Sequence, residues 1–240
     1  MKISAPFERA GEHIAIDLPG ARALFTTRHG GYSIGPYASL NLGRFTDDVP
    51  AAVERNRDAL AKELAVNFVY GRQVHGAVVR RVLEPPDDFP YADGQATNAP
   101  GLAPLVLTAD CLPITIATHG AVASVHAGWR GLDAGVIGEG VTAVRELGGD
   151  GPLEAAIGPG AGVCCYEVSD DVQARFEAFG PSVRHGENLD LKAIARAQLV
   201  EADVQVVHDV GLCTICGPDF FSHRRDRGMT GRQAGIAWLT

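Results

Sequence analysis

The segment of residues 101–131, GLAPLVLTADCLPITIATHGAVASVHAGWRG, decides the predicted fold. Its three apolar, β-branched runs are predicted as strands, and each is followed by a turn or by reactive side chains. Cys111 and His126 are therefore predicted to lie just past strand ends, where open α/β sheets bind ligands. A helical pattern follows His126, so the backbone amides at its start and the Arg130 guanidinium are predicted to hold an anion together. The segment indicates a nucleophile or a metal beside a phosphate or oxyanion pocket.

Composition narrows the classes of function. The chain has 240 residues and a net charge of −8, from 21 Lys and Arg against 29 Asp and Glu, with no basic run. This charge argues against a nucleic acid or an anionic membrane as partner and favours a small diffusible substrate. The first residues contain no apolar leader, and no apolar run reaches the ~20 residues of a membrane span, so the cytoplasm is the expected compartment. Five cysteines, an odd number, are expected to be reduced thiols available for a metal or for catalysis.

A helix is predicted from near residues 47–48 to about residue 65, with Pro50 in its first turn. Arg57 lies on the apolar face that this helix forms with Val53, Leu60 and Leu64. A guanidinium on a buried face needs an anionic partner. The partner is either a structural carboxylate or a bound anion, unless the side chain extends to solvent.

The remaining pattern predicts one α/β domain over residues 1–240, because there is no repeat, low-complexity stretch or linker. The glycine-rich residues 28–44 are predicted to form a long loop of the kind that is often functional. Asp190 is predicted to cap a helix. The predicted strands are 21–27, 68–79 with an interruption at residues 71–76, 153–157, 204–208, 220–223 and 234–239. The other predicted helices are 132–147, with Gly131, Gly135 and Gly138 on one face, 170–179 and 191–202.

His75 is the third candidate ligand. It lies far from Cys111 in the sequence, whereas compact zinc motifs keep their ligands a few residues apart. Spacing therefore does not identify a metal site formed by His75, Cys111 and His126. The alternative is that these three residues are hydrogen-bonded polar groups at strand ends and bind no metal.

A second pattern imitates the zinc nucleobase deaminases. His185-Gly186-Glu187 precedes Cys213-Thr214-Ile215-Cys216, in the order of the H-x-E and C-x-x-C signature. Leu212 stands where that signature has proline, and residues 217–221 do not favour the helix that should follow. Cys213 and Cys216 are therefore interpreted as reduced core thiols.

Several short sequence motifs resemble those of one known family. They are TTRHGG, GPYASLNLG, NRDAL, QVHG, TADCLPI, VHAGWRG, IGPG, CCYEV and SHRRDRGMTGRQAGIAWL. Through them the chain resembles, from about Phe25 to Leu239, the laccase-domain proteins, also called the polyphenol oxidase or purine nucleoside phosphorylase family. The order of TADC and VHAGWRG is the most specific part of this resemblance.

The resemblance implies a single α/β domain with central mixed β-sheets flanked by helices, in α/β/β/α layers, related to cysteine-hydrolase-like folds. It implies one catalytic Zn²⁺ per chain, bound by His75, Cys111 and His126. The implied activity is phosphorolysis of adenosine, inosine and methylthioadenosine, with adenosine deamination as a second reaction. Three protein ligands leave a fourth position open, as in catalytic zinc sites.

Further site residues follow from this expectation. Arg57 and Arg130, and more weakly Arg28, would supply positive charge to phosphate and to a departing purine. Asn41 would hydrogen-bond ribose or base. Asp110, Asp93 and Glu167 are candidate acids or supporting groups that the sequence does not rank. The chain departs from the family at residues 44–46 and at Gly160, which leaves the preferred nucleoside open.

Three alternatives remain at this point. A multicopper oxidase needs closely spaced histidine runs, and none of the eight histidines forms one, although a single copper at the zinc site is compatible with the ligands. A cysteine hydrolase would use Cys111 as nucleophile and His126 as base on a peptide or a cell-wall precursor. A zinc-stabilised binding protein would hold the metal without turnover.

Overall fold

The computed structural model describes residues 2–85 and 89–240, so the predicted domain span of 1–240 is described except at residues 1 and 86–88. The strands are β1 (Glu8–Ala10), β2 (His13–Leu18), β3 (Ala21–Phe25), β4 (Asn67–Val69), β5 (Val79–Arg81), β6 (Gly94–Thr97), β7 (Leu102–Thr108), β8 (Leu112–His119), β9 (Ala121–Ala127), β10 (Asp150–Ile157), β11 (Arg184–His185), β12 (Asn188–Leu189), β13 (Val206–Asp209) and β14 (Gln233–Leu239). The α-helices are α1 (Pro50–Leu64), α2 (Trp129–Asp133), α3 (Val136–Glu146), α4 (Asp170–Ala174) and α5 (Leu191–Glu201).

Two six-stranded sheets contain most of the strands. The first has the order β1-β2-β3-β14-β7-β4, and the second has the order β13-β10-β8-β9-β6-β5. Both sheets are mixed, because β4 pairs parallel to β7, and β5 and β13 pair parallel to their neighbours, whereas the central pairs are antiparallel. Strands β11 and β12 form a separate hairpin.

The alternation of side chains explains how the layers stack. On β8, Leu112, Ile114 and Ile116 share a core with α3 and α5, whereas Ala117 shares a core with Phe25 of the first sheet. Leu60 of α1 packs on the other face of the first sheet. The two sheets therefore pack face to face with helices outside, which confirms the predicted single α/β domain with mixed sheets flanked by helices. None of the helices described has the length and apolar character needed to cross a membrane.

Two helices follow their local signals closely. Helix α1 begins at Pro50 and ends at Leu64, where Ala65 adopts a left-handed conformation at φ 54°. Asp190 caps α5, because its carboxylate accepts hydrogen bonds from the backbone N–H groups of Lys192 and Ala193. The cap at Asp190 is confirmed, since capping depends only on neighbouring residues, whereas α1 begins after the predicted residues 47–48, with Pro50 in its first turn as expected.

The single helix predicted over residues 132–147 is wrong. The chain forms α2 and α3, separated at Gly135, whose φ of 84° does not continue a helix. The proposed face of three glycines therefore does not exist. Gly140 is the residue that lets α3 approach the sheet, because a Cβ there would lie 2.8 Å from Cγ2 of Val125.

Two strand predictions are also wrong. The interrupted strand predicted over 68–79 is broken at residues 71–76 as expected, but its two ends are the short strands β4 and β5, which belong to different sheets. The strand predicted over 220–223 is absent from the described secondary structure, although Phe221 is fully buried. The side chain of Gln233 accepts from the backbone N–H of Phe221 (2.7 Å) and donates to its carbonyl (3.1 Å). A glutamine thus satisfies the backbone groups that a strand neighbour would otherwise bind.

Candidate active site

Three side chains from distant parts of the sequence meet at one site. Cys111 lies where the chain passes from β7 in the first sheet to β8 in the second. His126 lies on β9 opposite Pro113, and His75 lies in the segment before β5. One ligand atom from each of the three side chains lies within 4.8 Å of the other two. The imidazole rings of His75 and His126 are 4.8 Å apart between centroids and nearly perpendicular, at 75°. We call this group the trio.

His126 lies inside β9 rather than past its end, so the prediction for its position is wrong. Along β9, Ala123 and Val125 face the helix layer. Ser124 faces the first sheet, where its hydroxyl donates to the carbonyl of Pro104 at 2.9 Å. His126 is the next residue on that face and is 3 % exposed. The inner face of a strand, not a flexible loop, therefore fixes this imidazole.

Asp93, immediately before β6, holds two members of the trio. Its buried carboxylate accepts hydrogen bonds from the backbone N–H groups of Val74, His75 and Gly76, the last two at 2.8 and 2.7 Å. It also contacts Nδ1 of His126 at 2.9 Å. Burial raises the pKa of Asp93, but the contact with His126 and these N–H groups hold it below its ordinary value. Because Nδ1 is engaged, Nε2 of His126 is the nitrogen available to a metal or a thiol.

The electrostatics of Cys111 and His126 are tightly coupled. Burial opposes the charge on both groups, yet each stabilises the charge on the other. The pKa of Cys111 falls to about 6, chiefly because His126 is close, and that of His126 rises to about 9 through Cys111 and Asp93. Cys111 is therefore a thiolate at neutral pH, the form that attacks electrophiles and binds metals.

The backbone leaves room for this group at one glycine. A Cβ at Gly128 would lie 2.8 Å from Sγ of Cys111 and 3.2 Å from Cδ2 of His75. Any larger residue there would enter the space between the thiolate and the imidazole. Gly128 therefore permits the close approach of the two ligands.

Asp110 fixes the backbone next to Cys111. It adopts a φ of 95°, which is rare for a residue with a side chain. Its carboxylate accepts hydrogen bonds from the hydroxyl of Thr214 and from the backbone N–H of Arg224, both at 2.7 Å. Among the three candidate acids, Asp110 lines the cavity described below, whereas Asp93 is fully buried and Glu167 lies outside that cavity.

The trio opens into a cavity of about 550 Å³, within the usual range for small-molecule sites. Asp110 is the only acidic residue among the described residues that line it. In a chain of net charge −8, this wall is strongly positive, which favours an anionic ligand. Six arginines line the cavity: Arg44, Arg57, Arg72, Arg130, Arg224 and Arg232.

Arg57 is buried on α1, as its position in the apolar face predicts, at 4 % exposed. Its Nη1 donates to the carbonyl of Leu42 at 2.7 Å, and its guanidinium lies 3.9 Å from the centre of the Tyr70 ring. Its Nη2 is buried and has no hydrogen-bond partner among the described residues, and no carboxylate there forms an ion pair with it. No carboxylate is thus its direct partner, although the charge of Glu54 acts on it, and an N–H group without a hydrogen bond remains at the cavity wall.

Arg130 lines the same cavity in a different environment. It is exposed, and its guanidinium lies 4.2 Å from the centre of the Trp129 ring. The helix that begins here is α2, of only five residues, so the predicted long helix start is not available for anion binding. The positive charge at this position therefore comes from the Arg130 side chain.

Asn41 does not line the cavity. It is fully buried, and its side-chain oxygen accepts hydrogen bonds from the backbone N–H groups of Gly43 (3.0 Å) and Arg232 (2.8 Å). Its amide nitrogen donates to Thr46 and to Asp48. Every polar atom of the side chain is thus engaged by the protein. Asn41 supports two cavity-lining segments and leaves no group for ribose or base.

Arg28 is also placed away from the cavity. Its Nε donates to the carbonyl of Ala38 at 2.7 Å, and its guanidinium lies 4.7 Å from the centre of the Phe221 ring. The structure therefore places Arg57 and four other predicted site residues at the cavity, whereas Arg28 and Asn41 do not line it. The four are His75, Cys111, His126 and Arg130.

Several residues of the cavity wall were not predicted from the sequence. Arg224 and Arg232 reach the cavity from the segment after β13, and Tyr166 reaches it from the segment after β10. Burial raises the pKa of the Tyr166 hydroxyl to about 12, so it stays protonated at neutral pH and can donate a hydrogen bond. The words CCYEV and SHRRDRGMTGRQ contain these residues, but no local pattern in them indicates a site.

The site and fold define the class of protein. Residues 22–240 match the family described as multi-copper polyphenol oxidoreductase laccase, and the chain belongs to this family. It is 42 % identical over 235 residues to a Streptomyces coelicolor protein named purine nucleoside phosphorylase SCO2081, covering 92 % of this chain and 96 % of that protein. It is 38 % identical to purine nucleoside phosphorylase YfiH of Escherichia coli K12, covering 92 % and 94 %. The crystal structure of Neisseria meningitidis protein NMB0706 superposes with a TM-score of 0.87 at 35 % identity, covering 95 % of this chain and 99 % of that one.

Proposed function

We propose that this protein is a zinc-dependent purine nucleoside phosphorylase acting on adenosine, inosine and methylthioadenosine, with adenosine deamination as a second reaction. The observation that carries the proposal is the trio opening onto a cavity lined by six arginines, one of them with an unpaired buried N–H group. The names of the relatives support the same reaction. The substrates are a small nucleoside and phosphate.

The donor set of the trio fits zinc. One thiolate and two imidazoles are ligands that Zn²⁺ prefers, and three protein ligands leave one position for water or substrate. Asp93 orients His126 in the way that carboxylates behind zinc-bound histidines do. Bound zinc supplies a Lewis acid and lowers the pKa of a bound water toward ~7. Copper also accepts these ligands and is the alternative ion.

The arginines bind phosphate and stabilise the negative charge that develops in the reaction. Arg57 and Arg130 bind phosphate through charge-assisted hydrogen bonds. In phosphorolysis a phosphate oxygen forms a bond to C1′ of the ribose while the bond from C1′ to the purine nitrogen breaks. The electron pair of that bond leaves with the purine, which then takes a proton. The positive wall stabilises the negative charge that develops on the base.

Adenosine incubated under four conditions tests the proposal: with and without phosphate, and with and without a chelator. We expect cleavage to adenine and ribose 1-phosphate only with phosphate, and deamination to inosine in its absence, because water does not use the anion site. The chelator should stop both reactions, and added zinc should restore them. Cys111→Ala is expected to remove the zinc of the trio and turnover while the fold survives. Chelator-resistant cleavage to adenine and free ribose without phosphate would refute the proposal, as would full turnover by Cys111→Ala with unchanged metal content.

A second function is favoured by a specific observation. Cys111, His126 and Asp93 are arranged as nucleophile, base and orienting carboxylate, and the low pKa of Cys111 suits attack on a peptide or a cell-wall precursor. Such a cysteine hydrolase would lose activity to a thiol-alkylating reagent and keep it in a chelator. The proposed phosphorylase would respond to the chelator and recover with zinc.

A further inference from the structure

Four of the five cysteines form a second cluster, separate from the trio. Cys164 and Cys165 lie in the segment after β10, and Cys213 and Cys216 lie in the segment after β13. The four Sγ atoms all lie within 4.8 Å of one another. The Sγ atom of Cys164 is 3.5 Å from those of Cys165 and Cys216, and these two are 2.9 Å apart. We call this group the cysteine cluster.

The cluster corrects the interpretation of the C-x-x-C pattern. Cys216 is exposed and Cys213 is half-buried, so neither is a core thiol. His185, the histidine of the deaminase-like pattern, contacts the carbonyl of Ser182 and does not join the cluster. The pattern therefore assembles with Cys164 and Cys165 instead of with the histidine that precedes it.

The fold positions the two cysteine pairs together. Strands β10 and β13 are parallel neighbours, so the segments that follow them leave the sheet at the same edge. Gly160 and Cys213 form a β-bridge, and the backbone N–H of Thr214 donates to the carbonyl of Gly160 at 3.0 Å. Gly162 has no side chain at the point where a Cβ would lie 3.2 Å from Sγ of Cys164. The space between the two segments is thus left to the sulfurs.

The backbone also supports the charged form of one sulfur, that of Cys213. The N–H of Gly162 donates to Sγ of Cys213 at 3.2 Å. The 213–216 turn closes through a hydrogen bond from the N–H of Gly217 to the carbonyl of Cys213 (2.9 Å). Two cations lie against the same segment: Nζ of Lys192 donates to the carbonyl of Leu212 (3.0 Å), and the Arg225 guanidinium donates to those of Thr214 and Gly217. Each cation is itself paired with a carboxylate, Lys192 with Asp209 and Arg225 with Asp226, so both hold the segment in position.

Four neutral thiols would be stabilised little by lying this close to one another. A thiol is a weak hydrogen-bond donor and a weak acceptor, and two of the four are exposed rather than packed in apolar surroundings. Four thiolates around one zinc, each ~2.3 Å from the ion, lie ~3.8 Å from one another. The cluster is within a small movement of that arrangement. We infer that Cys164, Cys165, Cys213 and Cys216 bind a second zinc ion in a closed, four-sulfur structural site.

The second zinc would secure one wall of the cavity. Thr214, next to Cys213, donates to the carboxylate of Asp110, which precedes Cys111. Tyr166, next to Cys165, lines the cavity itself. A metal that joins the two segments therefore fixes residues on both sides of the thiolate, without contacting substrate.

Zinc content of purified, reduced protein tests the inference independently of the proposed function. We expect about two zinc ions per chain in the wild type and about one in Cys216→Ser, with the remaining zinc lost when Cys111→Ala is added. Cys111→Ala alone should keep the second zinc. Ile215→Val, in the same turn, is the matched control and should have wild-type content. Equal zinc in wild type and Cys216→Ser would overturn the inference.

Two measurements that do not use Cys216→Ser cover the case in which that variant does not fold. Cobalt-substituted protein should show strong thiolate-to-cobalt absorption that persists in Cys111→Ala, because four of the five thiolates belong to the cluster. The four cluster thiols should react with a thiol reagent only after chelation. Immediate reaction of all four, or a disulfide within the cluster in protein kept under reducing conditions, would overturn the inference.

Discussion

Asp93→Asn tests how the trio is held together. The carboxylate of Asp93 is fully buried and binds the backbone N–H groups of His75 and Gly76 and the Nδ1 atom of His126. Asparagine keeps the shape but replaces one acceptor oxygen with an NH₂ donor and removes the charge. At least one N–H group would then face another donor. The substitution loosens the segment that carries His75 and the ring of His126 at the same time.

The size of the effect follows from these contacts. A hydrogen bond to a charged group contributes ~1.5–3 kcal/mol, so losing one and weakening another should lower the free energy of unfolding by ~2–4 kcal/mol. For a chain of this size, that corresponds to a fall in Tm of about 5–15 °C. Loss of a carboxylate behind a metal ligand typically costs ~10–100-fold in metal affinity. We expect both losses in Asp93→Asn.

The pH dependence has a defined sign. Burial alone would raise the pKa of Asp93 in the folded protein. The contact with His126 and the backbone N–H groups favour the carboxylate more strongly, so the pKa lies below its ordinary value. The stabilisation from its charge is therefore complete above the unfolded-state pKa of ~3.9 and is lost as the pH falls through the lower folded-state value. The stability difference between wild type and Asp93→Asn should be constant near neutral pH and shrink only in strong acid.

Zinc affinity is measured by competition with a chromogenic chelator, and stability by thermal unfolding with the chelator in excess. Asp17→Asn is the matched control, because the Asp17 side chain is 75 % exposed. Among the described residues, its one ion-pair partner is Arg22. It should change the unfolding free energy by less than ~0.5 kcal/mol. Wild-type zinc affinity in folded Asp93→Asn would refute the role of Asp93 in positioning the trio.

Three further predictions concern the cavity. Arg130→Lys should raise the KM for phosphate more than the KM for nucleoside, because lysine loses the planar two-pronged contact; equal changes would indicate a structural role instead. Gly128→Ala places a Cβ 2.8 Å from Sγ of Cys111, so the zinc affinity of the trio and turnover should fall ~10-fold or more, and unchanged zinc affinity at the trio would contradict the geometry. In metal-free protein, alkylation mapped to Cys111 should reach half its maximal rate near pH 6, owing chiefly to His126. A midpoint near the ordinary ~8.5 would show that the thiolate is not stabilised.

Local chemistry explains what the sequence predicted well. The cap at Asp190 and the burial of Arg57 follow from residues within a few positions of each other. Cys111 and His126 are close because β8 and β9 form one antiparallel hairpin that pairs Pro113 with His126. Hairpin register is accessible from a short stretch of sequence. The position of His126 inside β9, however, was not predicted from residues 101–131.

Long-range packing explains what the sequence did not predict. His75 joins the trio only because Asp93 binds its backbone, and the pair comes from segments whose contact depends on the assembled second sheet. Asn41 was expected to bind substrate, but its side chain is buried and hydrogen-bonded within the protein. The sequence alone does not distinguish such an asparagine from one that binds a ligand. The cysteine cluster depends on β10 and β13 being neighbours, which no spacing between its two pairs indicates.

The two proposed chemistries share a thiolate, an imidazole and a carboxylate, so the position of His75 separates them. A cysteine hydrolase needs one base beside Cys111, and Asp93 already orients His126 for that role. Yet Asp93 also binds the backbone N–H of His75 at 2.8 Å and so holds a second imidazole within 4.8 Å of the thiolate. A second imidazole adds nothing to proton transfer from the thiol, whereas a metal requires a third ligand to be held tightly. One buried carboxylate that positions both rings is an arrangement for coordinating an ion, and it is the reason for which we favour the metal-dependent reaction.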